Sequence, residues 1–390
     1  MHGISKTCCV PLLPRQASPH ALFCRGARQD PETVFRGSSA VRGTSYDAVL
    51  IVSFGGPEGP ADVLPFLDRV LRGRNVPQER KLAVADRYYR FGGVSPINQQ
   101  NRELAEAIRI ELDQAGLGLP VYCGNRNWHP MLVDTLRRMR RDGVQHSLAF
   151  LTSAYSSHST CRQYLDAITA ARGAVGADAP RVSKLRTYFN HPRFVEAWCD
   201  RTRTALERLG DHPLSELHIL FTAHSLPVAM AEQSRYVRQL NELAELIVSR
   251  LELEAVPWQL VYQSRSGPPH QQWLEPDVCQ AIAELGESGQ AARVLLVPLG
   301  FLSDHMEVLY DLDIEAAAAA RQAGIELVRA KTLGTHPRLI AMIRELVEER
   351  VRPLAERPVV GRMGPAPDDC PGVCSACTLP PRRPDVENPG

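Results

Sequence analysis

The chain has 390 residues, 44% hydrophobic and 23% charged, with a formal net charge of +1. That is globular material long enough for two domains, and its near-neutral balance gives no reason to expect nucleic acid or an anionic membrane as a partner. No apolar run reaches the roughly 18 residues of a transmembrane helix, and the ten cysteines do not form a regular secreted framework, so a reducing, cytoplasmic setting is expected.

Residues 1–45 have no Asp or Glu before Asp30 but do have Lys6, Arg15, Arg25 and Arg28. This reads as a disordered leader, with a transit peptide or a misassigned start as the other readings. Regular structure is expected from Tyr46, where Tyr46 to Phe54 is a buried strand closed by Gly55-Gly56-Pro57. A helix follows over Asp62–Leu71. Ile97 to Gln114 carries helical apolar spacing at Leu104, Ile108 and Leu112 and ends at Gly116. Val121-Tyr122-Cys123 is a second strand, Met131 to Arg141 a helix, and Leu148 to Tyr155 a third strand followed by a helix through Tyr164 and Ile168.

The order then repeats. Strands are expected at 217–223, 259–263 and 293–299, and helices near 230–252, 276–285, 305–322 and 336–351. Alternating strands and helices predict an α/β fold with mostly parallel sheets flanked by helices. At an offset of 147, Ser156-x-His158 matches Ser303-x-His305 and Leu165-Asp166 matches Leu312-Asp313. In both copies the match follows an apolar strand, which favours a duplicated half with a ligand held between facing strand edges. The expected division is a leader over 1–45, halves over 46–190 and 191–351, and a tail over 352–390. Nine of the thirty prolines lie in the last forty residues, together with Cys370, Cys374 and Cys377.

Two strand ends carry chemistry. His224 closes the first strand of the second half in Thr222-Ala-His-Ser-Leu-Pro227, and Glu307 follows the third in Ser303-Asp-His-Met-Glu307. Ligand crevices in such sheets lie outside the carboxyl ends of the strands, so a histidine and a carboxylate would meet there to move protons or hold a metal ion. The bland readings are a structural histidine, and Asp304 as a helix N-cap with Glu307 favoured by the helix dipole. Asp311 and Glu315 fall four and eight residues beyond Glu307 on one helical face, as a solvated surface or as a ladder for cations or protons. Arg87-Tyr88-Tyr-Arg-Phe-Gly-Gly-Val-Ser95 and Arg126 offer arginine and tyrosine to a planar aromatic acid. The tail cysteines have metal-ligand spacing but are one short of the four thiolates of an iron–sulfur cluster or a structural zinc site. Cys161 is the best candidate for the fourth, with Cys123 and Cys199 as others.

These residues resemble the ferrochelatase family. The resemblance spans about Tyr46 to Val351. It rests on Ser53-Phe-Gly-Gly-Pro57, Phe91-Gly-Gly-Val-Ser-Pro96, Gly124-Asn-Arg-Asn-Trp128, Thr222-Ala-His-Ser-Leu-Pro227, Tyr262-Gln-Ser-Arg-Ser-Gly267, Trp273-Leu-Glu-Pro276 and Phe301-Leu-Ser-Asp-His-Met-Glu307. It implies two Rossmann-like halves of the chelatase type with a cleft between them, and insertion of ferrous iron into a porphyrin in haem biosynthesis. By motif, His224 is implied as pyrrole-proton acceptor or iron ligand and Glu307 as its acidic partner. Asp304 and His305 support that wall. Phe54, Arg87, Tyr88, Ser95, Arg126, Tyr164 and Trp273 fall where the family contacts the macrocycle or its carboxylates. Phe54 stands where some relatives place a metal-ligating tyrosine.

The wording of the motifs is most similar to actinobacterial ferrochelatases, which implies coproporphyrin III as substrate and a 2Fe–2S cluster on Cys161, Cys370, Cys374 and Cys377, zinc being the alternative. Other readings are protoporphyrin IX as substrate, another metal, and a non-catalytic porphyrin or haem carrier, which would not need Glu307, Asp311 and Glu315 aligned. The partners expected are porphyrin, ferrous iron and enzymes of the haem pathway.

Overall fold

Two four-stranded, wholly parallel sheets share one strand order. The structure, a computed structural model, describes residues 46–73, 76–210, 213–267, 270–352 and 356–369. Strands β1 (Ala48–Ser53), β2 (Val121–Asn125), β3 (His146–Leu151) and β4 (Arg181–Lys184) run in the order β2-β1-β3-β4. Strands β5 (Leu217–His224), β6 (Trp258–Gln263), β7 (Arg293–Val297) and β8 (Glu326–Arg329) run in the order β6-β5-β7-β8. Val49 pairs with Leu148 and Ile219 with Leu295, two third-strand residues 147 apart that each face a first-strand residue. β1 and β7 are buried along their whole length, which is why they read as unbroken apolar runs.

In each half the second strand lies on one side of the first and the third strand on the other. The crevice between first and third strands is therefore a topological switch point, where ligands of such sheets bind. In the second half those strands are β5 and β7, whose ends lead to His224 and Glu307.

A repeated helix start that motif reading passed over ties two helices of the second half together. Helix Pro192–Leu209 opens with His191-Pro192-Arg193 and helix Pro337–Val351 with His336-Pro337-Arg338. Each histidine caps its own helix, its Nδ1 accepting the N–H of Arg193 at 3.3 Å or of Arg338 at 3.2 Å. Each arginine crosses to the other helix, Arg193 Nε to Glu345 at 2.5 Å and Arg338 Nε to Asp200 at 2.7 Å. Burial depresses both histidines, His191 to about 3, so the rings act as neutral caps. The C-terminal helix, expected to belong to the second half, also packs on helix Ile97–Gln114 of the first, with Arg344 Nε 2.9 Å from Glu111.

Residues 356–369 form a strap over the body. Val360 N–H donates to Asn190 O at 2.9 Å, Arg362 and Met363 N–H both donate to Glu242 Oε1, and Asn190 Nδ2 donates to Met363 O at 2.6 Å. Beneath it, Arg186 and Glu349 form a bidentate pair at 2.8 and 2.9 Å with side chains 1% and 2% exposed, and Arg186 also donates to Pro358 O. An unpaired charge there would cost several kcal/mol, roughly 3–5, so the strap is held at a point that needs it. Cys370, Cys374, Cys377 and the leader lie outside the described residues.

Candidate active site

His224 is the last residue of β5 and Glu307 lies in the first turn of helix Met306–Tyr310, just past β7. Their approach depends on the backbone. Gly300 N–H donates to Thr222 O at 3.0 Å, and a Cβ on Gly300 would lie 2.7 Å from Ala223 Cα, so only glycine lets the chain leaving β7 lie against the end of β5. His224 Nε2 then stands 3.7 Å from Glu307 Oε1. The histidine Nδ1 lies 2.6 Å from Ser225 O, an acceptor only, so Nδ1 carries a proton and Nε2 is the atom turned to the cleft.

Two residues to which the motifs gave no role hold this pair. Tyr236 donates its hydroxyl to His224 O at 3.1 Å, and Gln263 donates from Nε2 to Glu307 O at 2.7 Å. Gln263 was legible as part of the quoted Tyr262–Gly267 motif. Tyr236 opens helix Tyr236–Arg250, where its aromatic ring reads as ordinary core.

Burial works against a charged ring at His224, yet the Glu307 carboxylate overrides it and holds the ring above its ordinary value. Burial alone would raise the Glu307 carboxyl, but His224, with His305 and Arg87 behind it, holds it down to about 2. Each partner thus favours the charged form of the other, imidazolium against carboxylate. Both side chains keep water-facing surface, 31% and 46%, so the pair is screened and reachable.

Beyond Glu307, Asp311 and Glu315 are both engaged by one arginine. The helix changes from α to π geometry over Asp311–Ala316, a form common at functional sites. Ser264 Oγ makes a short bond to Asp311 Oδ2, and Arg87 reaches Asp311 Oδ1 at 3.3 Å and Glu315 Oε1 at 3.5 Å. Burial pushes the Asp311 carboxyl up to about 7, Glu307 and Glu315 adding to the rise and Ser264 and Arg87 opposing it. The matching helix after β3 also begins as a π turn, His158–Arg162, which carries Cys161.

Arg126 lies over the Tyr164 ring at 4.6 Å and 6.0 Å from that of Phe54, which is 37% exposed. Its Nη2 donates to Gln163 Oε1, while its Nε is buried without a protein partner. Tyr88 lies in the last turn of helix Gln78–Tyr89, and burial beside Glu307 and Asp311 pushes its hydroxyl up. Ser95 is buried against Gly56. Trp273 is buried between the bridge to Pro227 and Gly267, where a Cβ would fall 2.4 Å from the indole. Asp304 is not the helix cap. Its carboxylate pairs with Arg329 at 2.9 Å and its N–H donates to Gln100 Oε1 at 3.0 Å, while His305 takes the cap position and packs on Phe301. Among the described residues no three His, Cys, Asp or Glu side chains are grouped to hold a metal ion.

A model of the ferrochelatase family matches residues 46–351. The chain is 52% identical to a protein of Rhodopirellula baltica named ferrochelatase, over 87% of this chain and 96% of that one. It is 50% identical to the coproporphyrin III ferrochelatase of Frankia alni, over 87% of this chain and 88% of that one. It is 46% identical to that of Streptomyces griseus, over 88% and 97%.

Proposed function

Because this chain belongs to the ferrochelatase family, we propose that its cleft inserts Fe2+ into coproporphyrin III to give coprohaem in haem biosynthesis. The observation that carries the reading is the aimed pair, His224 Nε2 facing Glu307 across 3.7 Å at the switch point between β5 and β7. A free porphyrin holds two inward N–H protons, and iron enters only as both leave. His224 accepts pyrrole protons at Nε2. Resting as an imidazolium against Glu307, it must first release its own proton, and a dication arriving at Glu307 favours that release. Charge balances, one Fe2+ in for two protons out. Glu307, Asp311 and Glu315 form the rungs along which the dehydrating iron reaches the ring. A cleft that grips a buckled macrocycle between Phe54, Tyr164 and the His224 wall stabilises the transition state above the flat ground state.

Coproporphyrin III is favoured by the names of the relatives at 46–50% identity and by Arg126. Its Nε donor, buried without a protein partner, suits a substrate carboxylate. Arg87 is already committed to Asp311 and Glu315, so Arg126, Tyr88 and Tyr164 are the better contacts for the macrocycle. Anaerobic assay with ferrous iron and each porphyrin tests this. Catalytic efficiency is expected to be higher with coproporphyrin III; equal or higher efficiency with protoporphyrin IX rejects the substrate. Stoichiometric binding without metallation would favour a carrier.

A pH effect follows from the pair. In Glu307→Gln the burial of His224 remains but the opposing carboxylate is gone, so the ring pKa is expected to fall from above its ordinary value to below it. Histidine-ring NMR titration reads this directly, and an unmoved pKa would separate the two residues.

The tail cysteines, with Cys161, are proposed to hold a 2Fe–2S cluster, zinc being the alternative. The described part of the strap fits this. Burial raises the Cys161 thiol, while nearby Lys184 favours its thiolate. Lys184 Nζ also donates to Pro367 O at 3.2 Å, three residues before Cys370. Arg357 and Arg350 hold Asp368. One lysine thus links Cys161 to the end of the strap. Bound there, the cluster would supply four-thiolate ligation that clips the tail to the body. No helix among the described residues is long and apolar enough to cross a membrane, and a cytoplasmic location shared with other haem-pathway enzymes is part of the proposal.

A further inference from the structure

We propose that Arg87 is a tethered competitor for the metal, its guanidinium filling the lower rungs of the carboxylate ladder until a divalent cation displaces it. This rests on the reading of Glu307, Asp311 and Glu315 as the iron route and adds what selects the ion.

Arg87 belongs to the first half and reaches the π turn of the second. Its Nη1 meets Asp311 at 3.3 Å, its Nη2 meets Glu315 at 3.5 Å, and its Cζ sits 4.4 Å over the Tyr310 ring. Ser264 takes the other Asp311 oxygen. Both rungs below Glu307 therefore face a cation the protein brings with it.

The pairing is loose by this molecule's own standard. Charge-assisted bonds usually run at about 2.7–2.9 Å, as the buried Arg186–Glu349 pair does at 2.8 and 2.9 Å. The Arg87 contacts are longer and its side chain is 41% exposed, so on release it returns to water at little cost. Its helix, Gln78–Tyr89, buries only Ala85, and Arg80 at the near end touches the neighbouring loop through bonds of 3.3 Å to Arg265 O and Gly267 O. A structural ion pair would sit in a firmer frame.

The arrangement discriminates by charge. Three carboxylates on one face repel one another and would attract any cation. A sodium or potassium ion brings no more charge than Arg87 and lacks its tether, which keeps the guanidinium at high effective concentration. A divalent ion doubles the attraction and displaces it. Arg87 thereby keeps the ladder clear of monovalent ions and lowers the affinity for divalent ones, so that a cargo ion is not retained.

Binding of Mn2+, read by loss of the free-ion electron spin resonance signal, tests this on the full-length protein. Arg87→Gln is expected to tighten Mn2+ by about tenfold, the size of one like charge removed from a half-exposed site. It should also make that binding sensitive to added K+. Arg87→Lys, which keeps the tethered charge, should stay near wild type. Unchanged or weaker binding in Arg87→Gln overturns the proposal, as does equal tightening in Arg87→Lys. Asp311→Asn/Glu315→Gln should lose the tighter binding. If that double variant binds Mn2+ as wild type does, the ladder itself is wrong, a failure distinct from that of Arg87.

Discussion

Replacing His224 with alanine is expected to lower turnover by roughly two to four orders of magnitude, the usual worth of a positioned base, while coproporphyrin III still binds. The ring is held by Ser225 O, which accepts from its Nδ1, and the His224 main chain is held by Tyr236, whose hydroxyl donates to the His224 carbonyl. Neither bond depends on substrate, so the base is in place before binding and its loss strikes the proton step. Porphyrin affinity is expected to come from surfaces elsewhere, Arg126 and the exposed Phe54. Glu307→Ala should act on the same step from the other side, leaving iron without its last ligand and His224 without its counter-ion. Fluorescence quenching reads porphyrin binding and anaerobic single-turnover absorbance reads insertion. Insertion at the wild-type rate in either variant would remove that residue from the chemistry.

The parts of the fold that were legible in the sequence are the ones whose burial is continuous or periodic. β1, β5 and β7 are almost wholly buried and carry apolar runs at Ala48–Val52, Ile219–Phe221 and Val294–Val297, and helix Ile97–Gln114 shows its buried stripe at the expected residues. The edge strands β4 and β8 escaped notice because each is four residues long and partly exposed, with no apolar run to read. Helix Gln78–Tyr89 buries one residue, so periodicity gave no signal. Helix Pro192–Leu209 buries Phe194, Trp198, Thr202, Ala205 and Leu209, a stripe diluted by a threonine and an alanine. Its repeated His-Pro-Arg start was the available cue, since proline fits the first helical position.

The candidate site was legible in its ends and not in its supports. His224 and Glu307 stood out because each follows an apolar strand, and topology then brings the two strand ends together. Arg87 shows the limit. Its residue type and setting suited a substrate carboxylate, yet a helix end from one half faces the π turn of the other, and protein carboxylates take the guanidinium. Sequence spacing carries no information on such crossings, nor on where helix Met306–Tyr310 gives way to π geometry. The expected single helix over 305–322 is in fact three pieces.

Purified protein is expected to be coloured, with the charge-transfer absorption of a 2Fe–2S centre and about two irons per chain beyond any substrate iron, as four thiolates imply. Serine at Cys161, Cys370, Cys374 or Cys377 should abolish the colour, whereas serine at Cys8, Cys9, Cys24 or Cys279 should leave it. The described strap supports the proposed ligation of a distant cysteine with the tail. Arg186, Asn190, Glu242, Lys184 and Arg350 hold residues 358–368 along the body before the first tail cysteine, and the bond to Pro367 uses the lysine that also favours the Cys161 thiolate. Ligation then adds to a chain already brought most of the way, and its free energy becomes partly folding free energy. Lys184→Ala supplies the sharper control. It removes no ligand, so a cluster assembled at this place should survive but be lost more readily to chelator. If Lys184→Ala resists chelator as wild type does, the strap is not what brings the tail to Cys161. A colourless protein carrying stoichiometric zinc after anaerobic purification would keep the same four ligands but make the centre purely structural.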